Sequence, residues 1–162
     1  MLRSSIIVLI TYILFIPVTL AFGEVRTEDQ WISIRVYNRM RKDDVSFKNA
    51  NLAWGKFYSG SKSNEISAAE VDKIVVGPDA TKSADSCGRS GALSGTQGSL
   101  DLYDGTTRIC SLNWDCPWGS SINNFQVSNY VPQKSDYSVA VATWNRGPGA
   151  IGNVDITVAK LG

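Results

Sequence analysis

Two tryptophans, an aspartate and a cysteine fall within Trp114-Asp115-Cys116-Pro117-Trp118-Gly119-Ser120. A tryptophan ring buries on the order of 150–250 Å² and its N–H needs a partner, so it suits a core edge or a boundary between apolar and wet surroundings. Pro117 and Gly119 flank Trp118, which reads as a turn that projects the ring outward. Trp114 shares strand parity with Leu112 and Cys110 and is assigned to the core. The other tryptophans are Trp31, Trp54 and Trp144. Trp31 begins a strand pattern on the outward parity, and Trp54 stands beside Gly55. Both can meet solvent together with Trp118, while Trp144, at a strand end, fits either environment. The chemistry these residues offer is anchoring: an apolar ring body set into lipid, or a π face over a cationic headgroup.

Covalent and acid–base chemistry finds little support. The chain has no histidine, which removes Ser-His-Asp and Cys-His arrangements together with the commonest metal ligand. The stretch from Gly88 to Gly98 lacks the Lys-Ser/Thr ending of a phosphate loop, and no G-x-G-x-x-G opens a helix. Cys87, Cys110 and Cys116 are too few and wrongly spaced for a zinc site. A glycosidase pair among Asp101, Asp104 and Asp115 needs no local motif, but Asp101 and Asp104 read as strand and turn residues. No catalytic residue, metal or cofactor is assigned, and an enzyme is not expected.

Residues 6–21 are an apolar run behind Arg3, ending in Ala21-Phe22-Gly23, the pattern of a cleavable secretory leader over residues 1–23. Its removal leaves 139 of the 162 residues, one domain over 24–162. The leader holds one basic residue, so 15 Lys and Arg then stand against 15 Asp and Glu. A net charge of zero argues against a nucleic-acid partner and against simple attraction to anionic lipid. Three cysteines in an exported chain leave at least one thiol unpaired or shared between molecules, and the pairing stays open.

The elements that must hold these side chains are short strands. Ile32, Ile34 and Val36 alternate with polar residues, and the same period recurs through Leu52–Tyr58, Ser99–Tyr103, Arg108–Trp114, Tyr137–Thr143 and Val154–Val158. Gly55 inside such a pattern predicts a bulge or kink, and Asp104-Gly105 predicts a hairpin. Residues 60–67 and the Ser- and Gly-rich stretch 83–98 read as loops, with a helical turn at 68–71 and a further strand at 73–76. The pattern predicts an all-β, single-domain antiparallel β-sandwich.

Four strings carry a family resemblance: Leu52-Ala53-Trp54-Gly55-Lys56, Cys87-Gly88-Arg89-Ser90, Gly95 through Leu102, and Trp114 through Ser120. With Gly149-Ala150-Ile151-Gly152 and the strand after it, they resemble the aegerolysins from about Gln30 to Leu161. The resemblance implies an actinoporin-like sandwich that binds sphingolipid-containing membranes, with sphingomyelin (with cholesterol) or ceramide phosphoethanolamine as lipid partner. It implies haemolysis or cytolysis, alone or through a perforin-like (MACPF) pore-forming partner, by a secreted protein peripheral on its target membrane. Trp31, Trp54 and Trp118 match tryptophans at the family's lipid-binding end, and Cys87 and Cys116 are its family-like cysteines, structural together with Trp114. Ser94 stands where some members have an acidic residue, and Ser121 where a lysine can occur, so headgroup choice does not carry over. The alternative is a soluble, lectin-like defence protein that stacks the same rings on carbohydrate and makes no pore.

Overall fold

The computed structural model describes residues 27–119 and 122–161. The leader assigned to residues 1–23 and the candidate Ser121 lie outside the described residues. The chain forms β1 (Trp31–Asn38), β2 (Val45–Trp54), β3 (Lys56–Ser59), β4 (Ser61–Ile66), the single turn α1 (Ala68–Val71) and β5 (Val75–Val76). It continues through β6 (Thr81–Cys87), β7 (Thr96–Asp104), β8 (Thr107–Cys116), β9 (Asn124–Ser128), β10 (Tyr137–Val141) and β11 (Gly152–Lys160). These strands make two sheets, one ordered β10-β11-β1-β6-β3-β4 and the other β5-β2-β7-β8-β9. All-β sandwich architecture is what the alternating pattern predicts. The antiparallel rule has one exception, since β1 runs parallel to β11.

The core lies between the sheets. From the six-stranded sheet come Ile32, Ile34, Val36, Val154, Ile156 and Val158, and Phe47, Leu100, Leu102, Leu112 and Trp114 face them from the five-stranded sheet. Period-two burial along β1 and β11 is the direct product of their sequences.

Two stretches read as loops are strands. Residues 83–98 contain the last part of β6 and the start of β7, which leaves only 88–95 as connection. β6 pairs with β1 on one side and β3 on the other. Its small Ala84 and Ser86 face inward, opposite Ile34, Ile32 and Phe57, whose bulk occupies the space. Loop-like composition therefore marks a central strand whose neighbours supply the volume. Residues 61–66 form edge strand β4, polar because most of it faces water. The strand expected at 73–76 shrinks to Val75–Val76, because Ile74 is spent on the turn leaving α1. That helical turn is set by a capping box between Ser67 and Glu70.

Gly55 is more than a kink. β2 belongs to the five-stranded sheet and β3 to the six-stranded one, so the chain changes sheets at this residue. Its φ of +96° is open only to glycine, and a Cβ here would lie 2.5 Å from the Cys87 carbonyl oxygen. The crossing closes one end of the sandwich and leaves Trp54 at its rim.

Candidate functional site

One end of the sandwich gathers the start of β1, the end of β2, the end of β6, the start of β7, the end of β8 and the start of β9, as the strand pairing requires. The long connection 142–151 is pinned to the same end. Buried Asn123 donates from Nδ2 to the carbonyls of Asn145, Gly147 and Gly149, and Cys116 Sγ donates to Gln30 Oε1 and Gly149 O.

A hollow of about 290 Å³ opens here, walled by Trp54 on one side and by Pro117 and Trp118 on the other. Leu93 and Ser94 from the 88–95 connection close a third side, and Gln97 and Asp115 complete it. Trp54 is 59% exposed, Trp118 36% and Leu93 74%. The floor is rigid. Thr96 Oγ1 accepts from Trp114 Nε1 at 3.2 Å, and Ser86 Oγ, which donates to the Lys56 carbonyl, takes the Thr96 hydroxyl proton at 2.5 Å. Trp114 is buried as its parity predicts and meets Phe57 edge to face. Gly95 allows the walls to meet, since a Cβ there would sit 1.8 Å from the Cys116 carbonyl oxygen.

Of the residues singled out by sequence, Trp54, Ser94 and Trp118 thus line one hollow. Trp31 does not. It shares the end but lies on the outer face of the six-stranded sheet, in a row with Cys87 and Lys56, partly buried, with Lys62 Nζ 5.8 Å from its ring centroid. Trp144 packs edge to face on Phe125, and the Arg146 guanidinium covers it at 5.2 Å. Leu93 and Ile122, the latter 70% exposed at the same end, escaped the sequence reading. Leu93 did leave a signal: it is the only large aliphatic residue between Ser83 and Gly98.

The electrostatics are one-sided. Among the described residues no Lys or Arg lines the hollow, and Asp115 is its single charged group. Nearby cations are taken up elsewhere: Lys56 pairs with Glu28 at 2.6 Å, Lys62 donates to the Glu28 carbonyl, and Arg89 binds Glu65. Arg89's hydrogen bond and charge hold the Glu65 carboxyl below its usual range. All three cysteines are buried free thiols. Burial pushes Cys87 up to about 11 and Cys110 to about 12, and Cys116 is raised for the same reason. Among the described residues no group of three or more His, Cys, Asp or Glu side chains could hold a metal ion, and no helix is long and apolar enough to cross a membrane.

A two-sheet sandwich with an aromatic-rimmed hollow at one end defines a class of compact β module. Residues 29–161 match the aegerolysin family model, and the chain belongs to that family. Asp-hemolysin of Aspergillus fumigatus is 42% identical over 85% of this chain and 98% of its own length. Ostreolysin A6 of Pleurotus ostreatus is 34% identical over 82% of this chain and 96% of its own. Among solved structures, the RahU protein in complex with a TRIS molecule superposes with a TM-score of 0.76 at 36% identity, covering 83% of this chain and 98% of that one. IP-1A from Alcaligenes faecalis gives 0.75 at 34% identity, covering 85% and 96%.

Proposed function

We infer that this chain is a secreted, haemolysin-like protein that docks the tryptophan end of its sandwich onto lipid bilayers and holds a sphingolipid headgroup in the hollow between Trp54 and Trp118. The observation that carries the reading is the ring of exposed apolar side chains around a hollow whose one charge is a carboxylate. Trp54, Trp118 and Leu93 supply apolar surface to the interface, where indole rings partition well. Asp115 and the two π faces suit the cationic amine of a choline or ethanolamine headgroup. Ser94 adds a hydroxyl where a carboxylate would otherwise compete for that amine, and Trp31 flanks the docking surface from the adjacent sheet. Ser121 belongs to the connection that follows Trp118 and is included in the proposed contact on sequence grounds alone.

The names of the haemolysin relatives support action on membranes. Lysis alone, or with a perforin-like (MACPF) partner that supplies the pore, is part of the proposal, as is export by the leader at 1–23. Co-sedimentation with phosphatidylcholine vesicles, with and without sphingomyelin plus cholesterol or ceramide phosphoethanolamine, is the direct test. Binding should rise severalfold with one of the sphingolipids. Equal binding to every composition would remove the lipid selectivity, and no binding to any of them would remove the function. Erythrocyte lysis by the purified chain then separates a self-sufficient lysin from one that needs a partner.

A further inference from the structure

The outer face of the five-stranded sheet carries a polar array of which the lipid reading uses only the edge, Trp54 and Asp115. Register places Trp54, Gln97, Asp115 and Asn124 side by side across four strands at the rim. One step further from the end, Asn51, Ser99 and Asn113 form a second row on the same face. Gln97, Asp115 and Asn124 with this second row line a hollow of about 350 Å³, which meets the tryptophan hollow, walled by Trp54, through shared Gln97 and Asp115.

Three properties set this face apart from ordinary solvated sheet surface. Beneath it lies Gly98, whose missing side chain lets the Trp114 ring and Leu52 pack against the underside of the sheet: a Cβ there would lie 2.4 Å from the Asn51 carbonyl oxygen and 2.6 Å from the Trp114 ring. The side chains of Asn51, Gln97, Ser99, Asp115 and Asn124 make no hydrogen bond or ion pair within the described residues, so their donors and acceptors are free for a ligand. Asn113 is held on this face, with Nδ2 donating to Ser128 Oγ at 2.8 Å. No lysine or arginine lines either hollow. Asp115 is the one charged side chain lining the second hollow, so a free anion finds no cation there to hold it.

Adjacent side-chain amides, a hydroxyl and a carboxylate provide alternating donors and acceptors, and the exposed Trp54 ring at the end of the row provides an apolar platform. That combination matches the vicinal hydroxyls and the C–H face of a neutral hexose. We propose that this face is a subsite for a neutral sugar, held by Asn51, Gln97, Ser99, Asn113 and Asn124 and stacked against Trp54. The site goes beyond the lipid-binding reading and does not depend on it. The sugar can be the glycosyl headgroup of a membrane lipid or part of a free glycan, since the same hydroxyl chemistry is presented in both.

The test pairs the mature chain with an Asn51→Ala/Asn124→Ala double variant, both positions being exposed and outside the core. Free neutral disaccharides of glucose, galactose and N-acetylglucosamine are titrated while amide and indole NMR signals are recorded. Separately, phosphatidylcholine vesicles with and without glucosylceramide are sedimented. Shifts confined to Asn51, Asn113, Asn124 and the Trp54 indole, weakened on the order of tenfold in the double variant by the loss of one or two hydrogen bonds, support the site for free glycans. A gain in binding on adding glucosylceramide that disappears in the double variant supports it for a glycolipid. No shift with any disaccharide and no gain with glucosylceramide overturns it. Binding of the double variant to sphingomyelin vesicles should equal that of the parent, so failure of the sugar site and failure of the lipid proposal are read from different arms.

Discussion

If the tryptophan end is a membrane-docking surface, its two rim tryptophans should contribute in proportion to the area each presents. Taking about 250 Å² for a whole tryptophan side chain, the 59% exposure of Trp54 leaves about 150 Å² and the 36% of Trp118 about 90 Å². At about 25 cal/mol per Å² these areas set ceilings of about 4 and about 2 kcal/mol on transfer out of water. Trp54→Ala should thus weaken vesicle partitioning by up to several hundredfold, about, and Trp118→Ala by up to about thirtyfold. Trp31→Ala, already shielded on the outer sheet face beneath Lys62, should cost less than either. Val131, 51% exposed in the β9–β10 connection at the far end, is the control, and Val131→Ala should leave partitioning unchanged. The assay is sedimentation over a lipid titration, with near-ultraviolet circular dichroism to confirm each variant's fold. Quenching of indole fluorescence by brominated acyl chains reports which rings enter the bilayer. If Val131→Ala or Trp31→Ala weakens partitioning more than Trp54→Ala does, the docking geometry is wrong.

Gly95→Ala forces a Cβ to within 1.8 Å of a backbone oxygen that cannot yield cheaply. A cost of at least about 3 kcal/mol and a melting temperature lower by about 10 °C are expected by thermal denaturation, and an unchanged melting temperature would contradict the packing described here. At the opposite end, burial raises the Asp104 carboxyl, but hydrogen bonds from Lys160 and Tyr137 outweigh it and set its pKa below the usual range. A lowered folded-state value contributes stability that is complete above the unfolded value near about 3.9 and lost as pH falls through the folded one. In urea titrations Asp104→Asn should therefore be less stable than the parent at pH 6, with the gap closing below about pH 4; a gap independent of pH would rule out the carboxylate as its source. Hydrogen bonds to Asp104 and Asp43 raise Lys160, so its contribution is complete through neutral pH, begins to fade above the ordinary lysine value and is lost as pH rises through the raised one. The three buried thiols should ignore an aromatic disulfide reagent at pH 8 in the native protein and react with three equivalents once guanidinium is added. Fast native-state reaction at any of them would show that burial does not protect it.

Much of the architecture was legible because β1 and β11 alternate strictly, and the parity of Trp114 placed it inward correctly. The strands that composition concealed are those whose inward residues are small or whose faces are wet. β6 looks like a loop because Ile32, Ile34 and Phe57 fill the space that Ala84 and Ser86 leave. β4 looks like one because an edge strand needs few apolar side chains. At the site, the Pro-Trp-Gly turn announced Trp118, and Gly55 announced a break beside Trp54. The joining of those two rings with Ser94 and Asp115 depends on the sheet change at Gly55 and the close approach at Gly95, which single-strand periodicity does not encode. The polar rows beside them follow from register between β2, β7, β8 and β9, and register is a property of pairs of strands.

The parallel pairing of β1 with β11 has a kinetic consequence. Arg35 and Asp155, joined across it by a 2.6 Å ion pair, are 120 positions apart in the chain. β1 stands in the middle of the six-stranded sheet, with β11 on one side and β6 on the other, so one flank of its ladder stays unmatched until the last strand has been made. Non-local pairing of this kind places folding in the slow regime of milliseconds to seconds, roughly, and leaves an open strand edge for that time. The connection 142–151, which Asn123 and Cys116 tie to the tryptophan end, immediately precedes β11. Assembly of the tryptophan end is thereby coupled to the synthesis of β11, and a nascent protein lacking β11 would present that end without the connection anchored by Asn123 and Cys116.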